Sequence, residues 1–288
     1  MRGQNAIEHS STDAKSQLHR LGARARKGLG QHFLVDRNVL DKIVSAAELE
    51  PSDTVIEVGP GLGILTGELV KKAANVIAIE ADSKLASSLK RNLSKSPRLT
   101  VLNADVLQLD PRDLIESQRN YKVVANLPYY IAAPILRHFL EASLKPSLMV
   151  VMVQKEVGQS IVAAPGNMSI LGISVQLYGK PTIVDYVPAQ SFYPQPKVDS
   201  AIVRIEVYPK PAIDVESIAG FFEIVKAGFS APRKQIKNSL ALGLQLDSAA
   251  VVELLQQAGV APQRRPETLS LEEWAELQRT FTNKDRKV

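Results

Sequence analysis

The segment from residue 54 to residue 80 constrains the fold of this chain more than any other. A short apolar run, 54–58, leads into Gly59-Pro60-Gly61-Leu62-Gly63, and a helical pattern follows from Ile64 to Val70. A second apolar run, 76–79, then ends at Glu80. A strand, a glycine-rich turn, a helix and a second strand make a βαβ unit, because the crossover between parallel strands needs the helix. The sequence therefore predicts a Rossmann-like α/β fold with a parallel sheet.

The acidic residues of this unit indicate the kind of ligand. Glu80 follows Gly59 by about the 20 positions at which an acid accepts ribose hydroxyls in such folds. The glycine spacing is G-x-G-x-G, whereas dinucleotide sites have G-x-G-x-x-G. Glu57, just before the first glycine, would repel a pyrophosphate and can face a cation. These residues favour S-adenosylmethionine, with its sulfonium group, over NAD.

A third apolar run, 99–102, is followed by Asn103-Ala104-Asp105. At the end of a parallel strand, Asp105 is placed to accept a hydrogen bond from the adenine amino group of the cofactor. Alternatively, Asp105 forms an Asx turn or caps a helix.

The run 122–125 ends at Asn126-Leu127-Pro128-Tyr129-Tyr130. These residues suit the exocyclic amino group of a planar base. The Asn126 side-chain oxygen and the Leu127 carbonyl each accept one N–H, and Pro128 limits the freedom of that carbonyl. The ring of Tyr129 offers a face for an extruded base. The alternative is a strand end followed by a proline turn, with Tyr129 as ordinary packing.

Five segments together resemble the ribosomal RNA adenine N6,N6-dimethyltransferases, specifically those of the small-subunit (16S) type. The resemblance covers nearly the whole chain from about Arg24. The matching segments are Arg24 to Leu34, Glu57-Val58-Gly59-Pro60-Gly61, Ile79-Glu80-Ala81-Asp82 with Asn103-Ala104-Asp105, Asn126-Leu127-Pro128-Tyr129, and Ser191 to Ala201. The chain departs from the family at Gly28 and Leu29, where an arginine and a phenylalanine are usual.

The resemblance implies an S-adenosylmethionine-dependent methyltransferase domain followed by a small, all-helical C-terminal domain. It implies methyl transfer to the amino nitrogens of two adjacent adenosines in the hairpin loop near the 3′ end of 16S rRNA, within an immature small ribosomal subunit. The implied enzyme is a cytoplasmic monomer. The implied cofactor-binding residues are His32, Leu34, Gly59, Glu80, Asp105 and Asn126. The implied catalytic residues are Asn126, Leu127, Pro128, Tyr129 and Phe192, of which Phe192 is expected to stack on the second face of the adenine.

The charge of the chain fits a polyanionic partner. The net charge is +5, and two groups of cations are candidates for RNA binding. These are Arg24, Arg26 and Lys27 near the N-terminus, and Arg233, Lys234 and Lys237, which the sequence predicts on one helix. The chain has no cysteine, and its four histidines are scattered, so no metal site is expected. No apolar run approaches the length of a membrane span.

Three parts are expected along the chain. Residues 1–23 are polar and predict a flexible arm, residues 24–209 the methyltransferase domain, and residues 212–288 a helical RNA-docking domain. The stiff sequence Tyr208-Pro209-Lys210-Pro211 separates the last two.

Three other functions compete with this interpretation. One is that of a related enzyme, which methylates large-subunit RNA and thereby confers macrolide resistance. The segment 197–201 and the length of the helical tail argue against this function. A second is a non-enzymatic binding protein of the mitochondrial transcription factor kind, against which the intact motif 126–129 argues. The third is a DNA adenine or small-molecule methyltransferase, against which the basic tail and arm argue.

Overall fold

The structure is a computed structural model and describes residues 12–21, 31–115 and 120–285. Its strands are β1 (Phe33–Leu34), β2 (Thr54–Val58), β3 (Asn75–Glu80), β4 (Leu99–Asn103), β5 (Tyr121–Asn126), β6 (Leu148–Gln154), β7 (Gly179–Val187), β8 (Phe192–Tyr193) and β9 (Ser200–Val207). Seven strands form one sheet in the order β4-β3-β2-β5-β6-β9-β7, and β1 pairs with β8.

The large sheet is parallel from β4 to β6, and β9 runs antiparallel to β6. The direction in which successive strands are added reverses between β2 and β5, and open α/β sheets bind ligands at such a switch point. Because the strands are parallel, the residues at their carboxyl ends meet at one edge. Glu80, for example, pairs with Asn103, and Val58 with Ile79. The predicted Rossmann-like sheet is confirmed.

The described residues form twelve α-helices. They are α1 (12–20), α2 (Arg37–Ala46), α3 (Ile64–Lys72), α4 (Ser83–Asn92), α5 (Pro111–Leu114), α6 (Ala132–Glu141), α7 (Lys155–Ile161), α8 (Ile170–Tyr178), α9 (Ile218–Gly228), α10 (Ile236–Leu244), α11 (Ser248–Gln257) and α12 (Leu271–Asp285). Val124 joins the core under α2 and α3. Tyr121 faces the other way by strand alternation, and its ring lies 6.4 Å from that of Phe139 in α6. A sheet buried on both faces explains the continuous apolar strands of the sequence.

Chain contacts divide the protein into two compact units. The first comprises residues 1–159 and 180–209, and the second comprises residues 160–179 and 210–288. The second unit thus includes a segment, 160–179, that the sequence-based division places with the methyltransferase domain. Main-chain hydrogen bonds within the unit hold this segment, since the N–H groups of Gly166 and Met168 both donate to the Glu267 carbonyl, at 2.9 and 3.0 Å.

The second unit is built from helices, as predicted for the C-terminal region. Trp274 in α12 is fully buried and stacks on Phe229, with ring centroids 5.8 Å apart. A Cβ atom at Gly228 would lie 2.3 Å from the Trp274 ring, so only glycine allows this approach. Ser270 and Glu273 form a capping box at the start of α12, because each main-chain N–H donates to the side chain of the other residue.

Part of the predicted N-terminal arm is helical. Residues 12–20 form α1, whereas the polar composition predicts flexibility over 1–23. Ala14 and Leu18, four positions apart, are buried on one helix face, and Leu18 packs with Phe33 and Leu85. In the part of the chain that the structure describes, no helix has both the length and the apolar character needed to cross a membrane.

Candidate functional site

A cavity of about 290 Å³ lies at the carboxyl edge of the parallel strands, within the first unit. Its walls come from the ends of β2, β3, β4 and β5 and from the segment around β1. The residues predicted from the sequence that line it are His32, Leu34, Gly59, Glu80, Asp105, Asn126, Leu127, Pro128 and Tyr129. The structure therefore brings together residues that are up to about a third of the chain apart.

The loop after β2 can adopt its path only with glycine. Gly59, Gly61 and Gly63 have φ angles of 67°, 58° and 82°, which other residues rarely adopt. A Cβ atom at Gly61 would lie 2.9 Å from the Phe33 ring. The main chain of this loop therefore forms a close cradle at the cavity wall, in contact with the Phe33 ring.

Glu80 fixes that loop to the end of β3. Its Oε2 accepts the Gly61 N–H at 3.0 Å, and its Oε1 accepts the Asp82 N–H at 2.9 Å. Burial raises the pKa of Glu80, and the two main-chain hydrogen bonds act in the opposite direction. Each carboxylate oxygen has further acceptor capacity, so Glu80 can still receive ribose hydroxyls.

Glu57 lies deeper, at the end of β2. Its side chain is 2% exposed, and no described residue forms a hydrogen bond with its Oε2. Burial raises the pKa of Glu57 to about 8; hydrogen bonding to Thr66 lowers it in part, and the nearby charge of Glu80 adds to the rise. An unpartnered carboxyl group at a cavity wall is suited to a cationic ligand, which would compensate its charge.

The electrostatic character of the cavity is acidic, in contrast to the basic chain. Four carboxyl groups line it, from Glu57, Glu80, Asp82 and Asp105, and no lysine or arginine is among the described lining residues. This donor set and the glycine cradle fit S-adenosylmethionine, which carries a positive sulfonium centre. They do not fit the pyrophosphate of a dinucleotide.

Asp105 caps a helix, which is the alternative role that the sequence left open. It is exposed, and its Oδ1 accepts the Leu107 N–H at 3.0 Å, which caps the short 3₁₀ helix Val106–Gln108. Capping and ligand binding are compatible here, because a carboxylate has several acceptor sites and Asp105 also lines the cavity.

Two acceptors lie on neighbouring residues at the start of the motif 126–129. The Asn126 side chain donates from Nδ2 to the His32 carbonyl at 3.1 Å, which directs its Oδ1 away from that carbonyl. Leu127 donates its N–H to the Met152 carbonyl at 3.1 Å. Among the described residues, none donates a hydrogen bond to the Leu127 carbonyl. The segment thus presents one amide oxygen and one main-chain oxygen.

The Tyr129 ring is held by two contacts. Its hydroxyl lies 2.6 Å from Ser200 Oγ, and its ring stacks on His32, with centroids 5.6 Å apart and planes inclined by 28°. His32 is itself anchored, because its Nδ1 donates to the Pro194 carbonyl at 2.6 Å. Burial raises the pKa of Tyr129, so its phenol stays protonated at neutral pH and cannot act as a base.

Phe192 is the one predicted catalytic residue that is not among the described residues lining this cavity. Its side chain is 3% exposed and packs in the core with Leu34 and Ile202. The cause is the pairing of β8 with β1, in which Leu34 lies opposite Phe192 and Phe33 opposite Tyr193. The stacking of Phe192 on the target base stays a prediction.

Sequence reasoning gave no role to Tyr130 and Phe33, which also line the cavity. Tyr130 is 55% exposed in the 3₁₀ helix Tyr129–Ile131. Its place directly after Tyr129 is the only signal that the sequence offers. Phe33 carried no local signal, since its contact with Gly61 depends on the pairing of β1.

The three tail cations Arg233, Lys234 and Lys237 do not share one helix, in contrast to the prediction. Arg233 and Lys234 do not lie on a helix but in a turn before α10, which contains Lys237 in its first turn. Pro232 occupies the second position of that turn, where its fixed φ is favoured, and the Lys234 N–H donates to the Ala231 carbonyl at 2.9 Å. Arg233 and Lys234 are exposed. Arg24, Arg26, Lys27, Gly28 and Leu29 lie outside the described residues.

Comparison with known proteins gives consistent similarities. Residues 22–283 match the family model described as ribosomal RNA adenine dimethylase. The chain is 49% identical over 269 residues to ribosomal RNA small subunit methyltransferase A of Dehalococcoides mccartyi, covering 93% of this chain and 92% of that protein. Among solved structures, a dimethyladenosine transferase from Plasmodium falciparum is 25% identical, with a TM-score of 0.74 over 88% of this chain and 98% of that one. The 23S rRNA methyltransferase ErmE is 30% identical, with a TM-score of 0.67 over 87% and 99%.

Proposed function

The chain belongs to the ribosomal RNA adenine dimethylase family, and we propose that it dimethylates two adjacent adenosines in the hairpin loop near the 3′ end of 16S rRNA. The coarser activity follows from family membership: the chain is an S-adenosylmethionine-dependent enzyme that dimethylates adenine in small-subunit rRNA. The two target nucleotides and the roles of individual residues form the proposal.

One observation carries the assignment of the base site. Asn126 Oδ1 and the Leu127 carbonyl are two acceptors on neighbouring residues, and both residues line the same acidic cavity as Glu57 and Glu80. An adenine amino group has two N–H donors and therefore matches this pair. Tyr129 completes the site with a ring on which an extruded base can stack.

The cofactor, when bound, supplies an electrophilic methyl group on a positively charged sulfur. We assign its binding to the cavity through His32, Leu34, Gly59, Glu80, Asp105 and Asn126, all of which line the cavity. Glu80 accepts the ribose hydroxyls, and the main chain at Gly59 permits close approach of the ligand. Asp105 accepts from the adenine of the cofactor.

The chain's own residues lower the barrier mainly by positioning. The adenine amino nitrogen is a weak nucleophile because its lone pair is delocalised into the ring. Accepting both N–H bonds at Asn126 and Leu127 favours a pyramidal nitrogen with its lone pair free, and Pro128 restrains the second acceptor. Positive charge that develops on nitrogen meets oxygen dipoles that are already oriented. No general base is required, because the amino proton becomes acidic once the methyl group is transferred.

The partner in this proposal is 16S rRNA within an immature small subunit, bound by a monomer of the enzyme in the cytoplasm. Extruding a base is least costly from a loop, where few stacking and pairing interactions are lost. Arg233, Lys234 and Lys237 supply cations for phosphate contacts, and the described residues form no ion pair with them. Arg24, Arg26 and Lys27 are assigned the same role from the sequence.

The proposal is tested by mapping modified nucleotides. Purified protein is incubated with methyl-labelled cofactor and either immature small subunits, mature subunits or naked 16S rRNA, and the label is located by nuclease mapping and mass spectrometry. We expect dimethyladenosine at two adjacent positions near the 3′ end, with immature subunits as the preferred substrate. Label in 23S rRNA, or in DNA alone, would overturn the proposal. The Asn126→Ala variant serves as the inactive control.

A further inference from the structure

Glu57 is set apart from the other acids of the cavity by its hydrogen bonding. Each of the other three carboxyl groups accepts main-chain N–H bonds: Glu80 from Gly61 and Asp82, Asp82 from Lys84 and Leu85, and Asp105 from Leu107. The polar neighbour of the Glu57 carboxyl group is Thr66, whose hydroxyl and main-chain N–H lower its pKa, but the buried Oε2 atom has no partner at hydrogen-bond distance among the described residues. Glu57 lines the cavity, and its Oε2 atom is left without a partner behind that wall.

The surroundings of Glu57 disfavour its charged form in the free protein. Its side chain is 2% exposed, and the nearest acid is Glu80 on the neighbouring strand β3. The remaining titratable side chains that face the cavity are Asp82 from the start of α4, Asp105 after β4, His32 before β1, and Tyr129 and Tyr130 after β5. From β5 itself comes the neutral amide of Asn126. No lysine or arginine is among these described residues, so no fixed cation compensates the carboxylate.

We propose that Glu57 distinguishes the sulfonium cofactor from its thioether product by gaining and losing a proton. In the free protein the carboxyl group is protonated. When the cationic cofactor binds, Glu57 releases that proton to solvent and its carboxylate compensates the sulfonium charge. Once the methyl group has left, the product sulfur is neutral, the carboxylate is again uncompensated, and Glu57 takes one proton back. The inference rests on the cofactor assigned above.

The direction of the pH effect follows from this exchange. Burial and Glu80 raise the pKa of Glu57 to about 8 in the free protein, so at pH 7 most molecules carry the proton. Binding of a cation to the deprotonated form lowers that pKa. The affinity for S-adenosylmethionine therefore rises by up to about tenfold per pH unit from pH 6 to pH 8, and it levels off above pH 8. The affinity for S-adenosylhomocysteine lacks this contribution.

The test counts the protons released on binding. Isothermal titration calorimetry of the full chain at pH 7 is performed in phosphate and in Tris, whose ionisation enthalpies differ, with each of the two ligands. We expect release of close to one proton with S-adenosylmethionine and of none with S-adenosylhomocysteine. The two ligands share the ribose, adenine, amino and carboxylate groups and differ at sulfur, so the comparison isolates the sulfonium charge.

Two variants provide the matched controls. In Glu57→Gln, proton release is abolished and the ratio of the two affinities falls towards one. In Asp105→Asn, which removes the same charge at the exposed rim of the cavity, both affinities fall by a similar factor and the proton release persists. Should Glu57→Gln fail to fold, the comparison of the two ligands on the parent chain decides alone.

The possible outcomes separate this inference from the cofactor assignment. Equal proton release with both ligands would show that the amino group, not sulfur, faces Glu57, and would overturn the inference. Binding of both ligands without proton release would overturn it as well, while leaving the cofactor assignment intact. The absence of binding for both ligands would overturn the cofactor assignment and this inference together.

Discussion

The Asn126 side chain donates a hydrogen bond from Nδ2 to the main-chain carbonyl of His32, over 3.1 Å. This bond ties the end of β5 to the segment that precedes β1, two parts of the chain that are far apart in sequence. Because the acceptor belongs to the main chain, the orientation of the Asn126 amide does not depend on the side chain at position 32. The amide oxygen is thereby positioned as an acceptor before any ligand arrives.

Replacing Asn126 by alanine should affect catalysis far more than cofactor binding. The variant loses an oriented dipole at the reacting nitrogen, and removing one such group typically lowers kcat by about 100-fold to 1000-fold. A single lost hydrogen bond to the cofactor would weaken its binding by no more than about tenfold. Single-turnover methyl transfer and calorimetry measure the two effects. His32→Ala isolates the ring from the carbonyl at position 32, since it keeps the carbonyl that orients Asn126 and removes the ring that stacks on Tyr129. A variant with normal turnover would remove Asn126 from the base site.

Tyr129 should contribute through its ring rather than its hydroxyl. Tyr129→Ala loses base stacking worth about 1–3 kcal/mol, which corresponds to a rate or affinity loss of about 5-fold to 150-fold. Tyr129→Phe keeps the ring but leaves the buried Ser200 hydroxyl without this partner. We expect Tyr129→Phe to retain most activity with a lower melting temperature.

Ser200→Ala completes a double-mutant cycle for this pair. In the double variant, Tyr129→Phe with Ser200→Ala, both partners of the hydrogen bond are removed and no buried hydroxyl is left unpaired. If the Tyr129 hydroxyl only positions the ring, this double variant should be no less stable than Tyr129→Phe alone. Activity of Tyr129→Phe as low as that of Tyr129→Ala would contradict the stacking role.

The local features of the cofactor site could be predicted from the sequence. The glycines of 59–63 and the acids Glu57 and Glu80 are set by short-range requirements: left-handed backbone angles, strand alternation and the position of strand ends. The strand that ends at Asn126 could be predicted for the same reason, since its apolar run and its proline turn are both local.

The differences arise where a distant partner decides the structure. The burial of Phe192 accompanies the pairing of β8 with β1, and no local pattern encodes that pairing. Residues 12–20 form a helix whose Leu18 packs against Phe33 and Leu85. The polar composition of the arm does not indicate this packing. The prediction of one helix across Arg233 and Lys237 is wrong for a reason that is visible in the sequence. Pro232, directly before Arg233, favours a turn.

The basic turn before α10 should make RNA binding dependent on salt. Substituting Arg233, Lys234 and Lys237 by alanine removes up to three phosphate contacts, and each contact contributes about one unit to the slope of log affinity against log salt concentration. We expect weaker binding to immature small subunits, a slope that is shallower by up to about three units, and unchanged cofactor affinity. Filter binding over a salt series measures the slope.

A control with the same charge change is available in the first unit. Lys90, Arg91 and Lys95 are exposed at the end of α4 and just after it, and their triple alanine variant also removes two lysines and one arginine. Equal changes in both triple variants would indicate a non-specific effect of net charge. An unchanged slope in the first variant would place the RNA surface elsewhere, with Arg24, Arg26 and Lys27 as the next candidates.

Glu57→Gln should stabilise the cofactor-free protein increasingly as the pH rises. In the folded protein the pKa of Glu57 is about 8, compared with an ordinary value of 4.5 for the unfolded chain. Below pH 4.5 Glu57 carries its proton in both the folded and the unfolded state, so its titration does not change the free energy of unfolding there. Between these values the folded state binds more protons, so the parent loses stability as the pH rises, by at most about 1.4 kcal/mol per pH unit from this group.

Glutamine resembles the protonated acid in shape and does not titrate, so the variant escapes this loss. Its melting temperature should match that of the parent near pH 5 and exceed it by a growing margin up to pH 8, while saturating S-adenosylmethionine should reduce the margin, because the parent then gains a compensating cation. Asp105→Asn, at an exposed position, is the control, and its difference from the parent should not grow with pH. Melting curves from pH 5 to pH 8 provide the measurement. A margin for Glu57→Gln that stays constant over this range would mean that folding does not shift the titration of Glu57, since only a pKa that differs between the folded and unfolded states makes the effect of the substitution depend on pH.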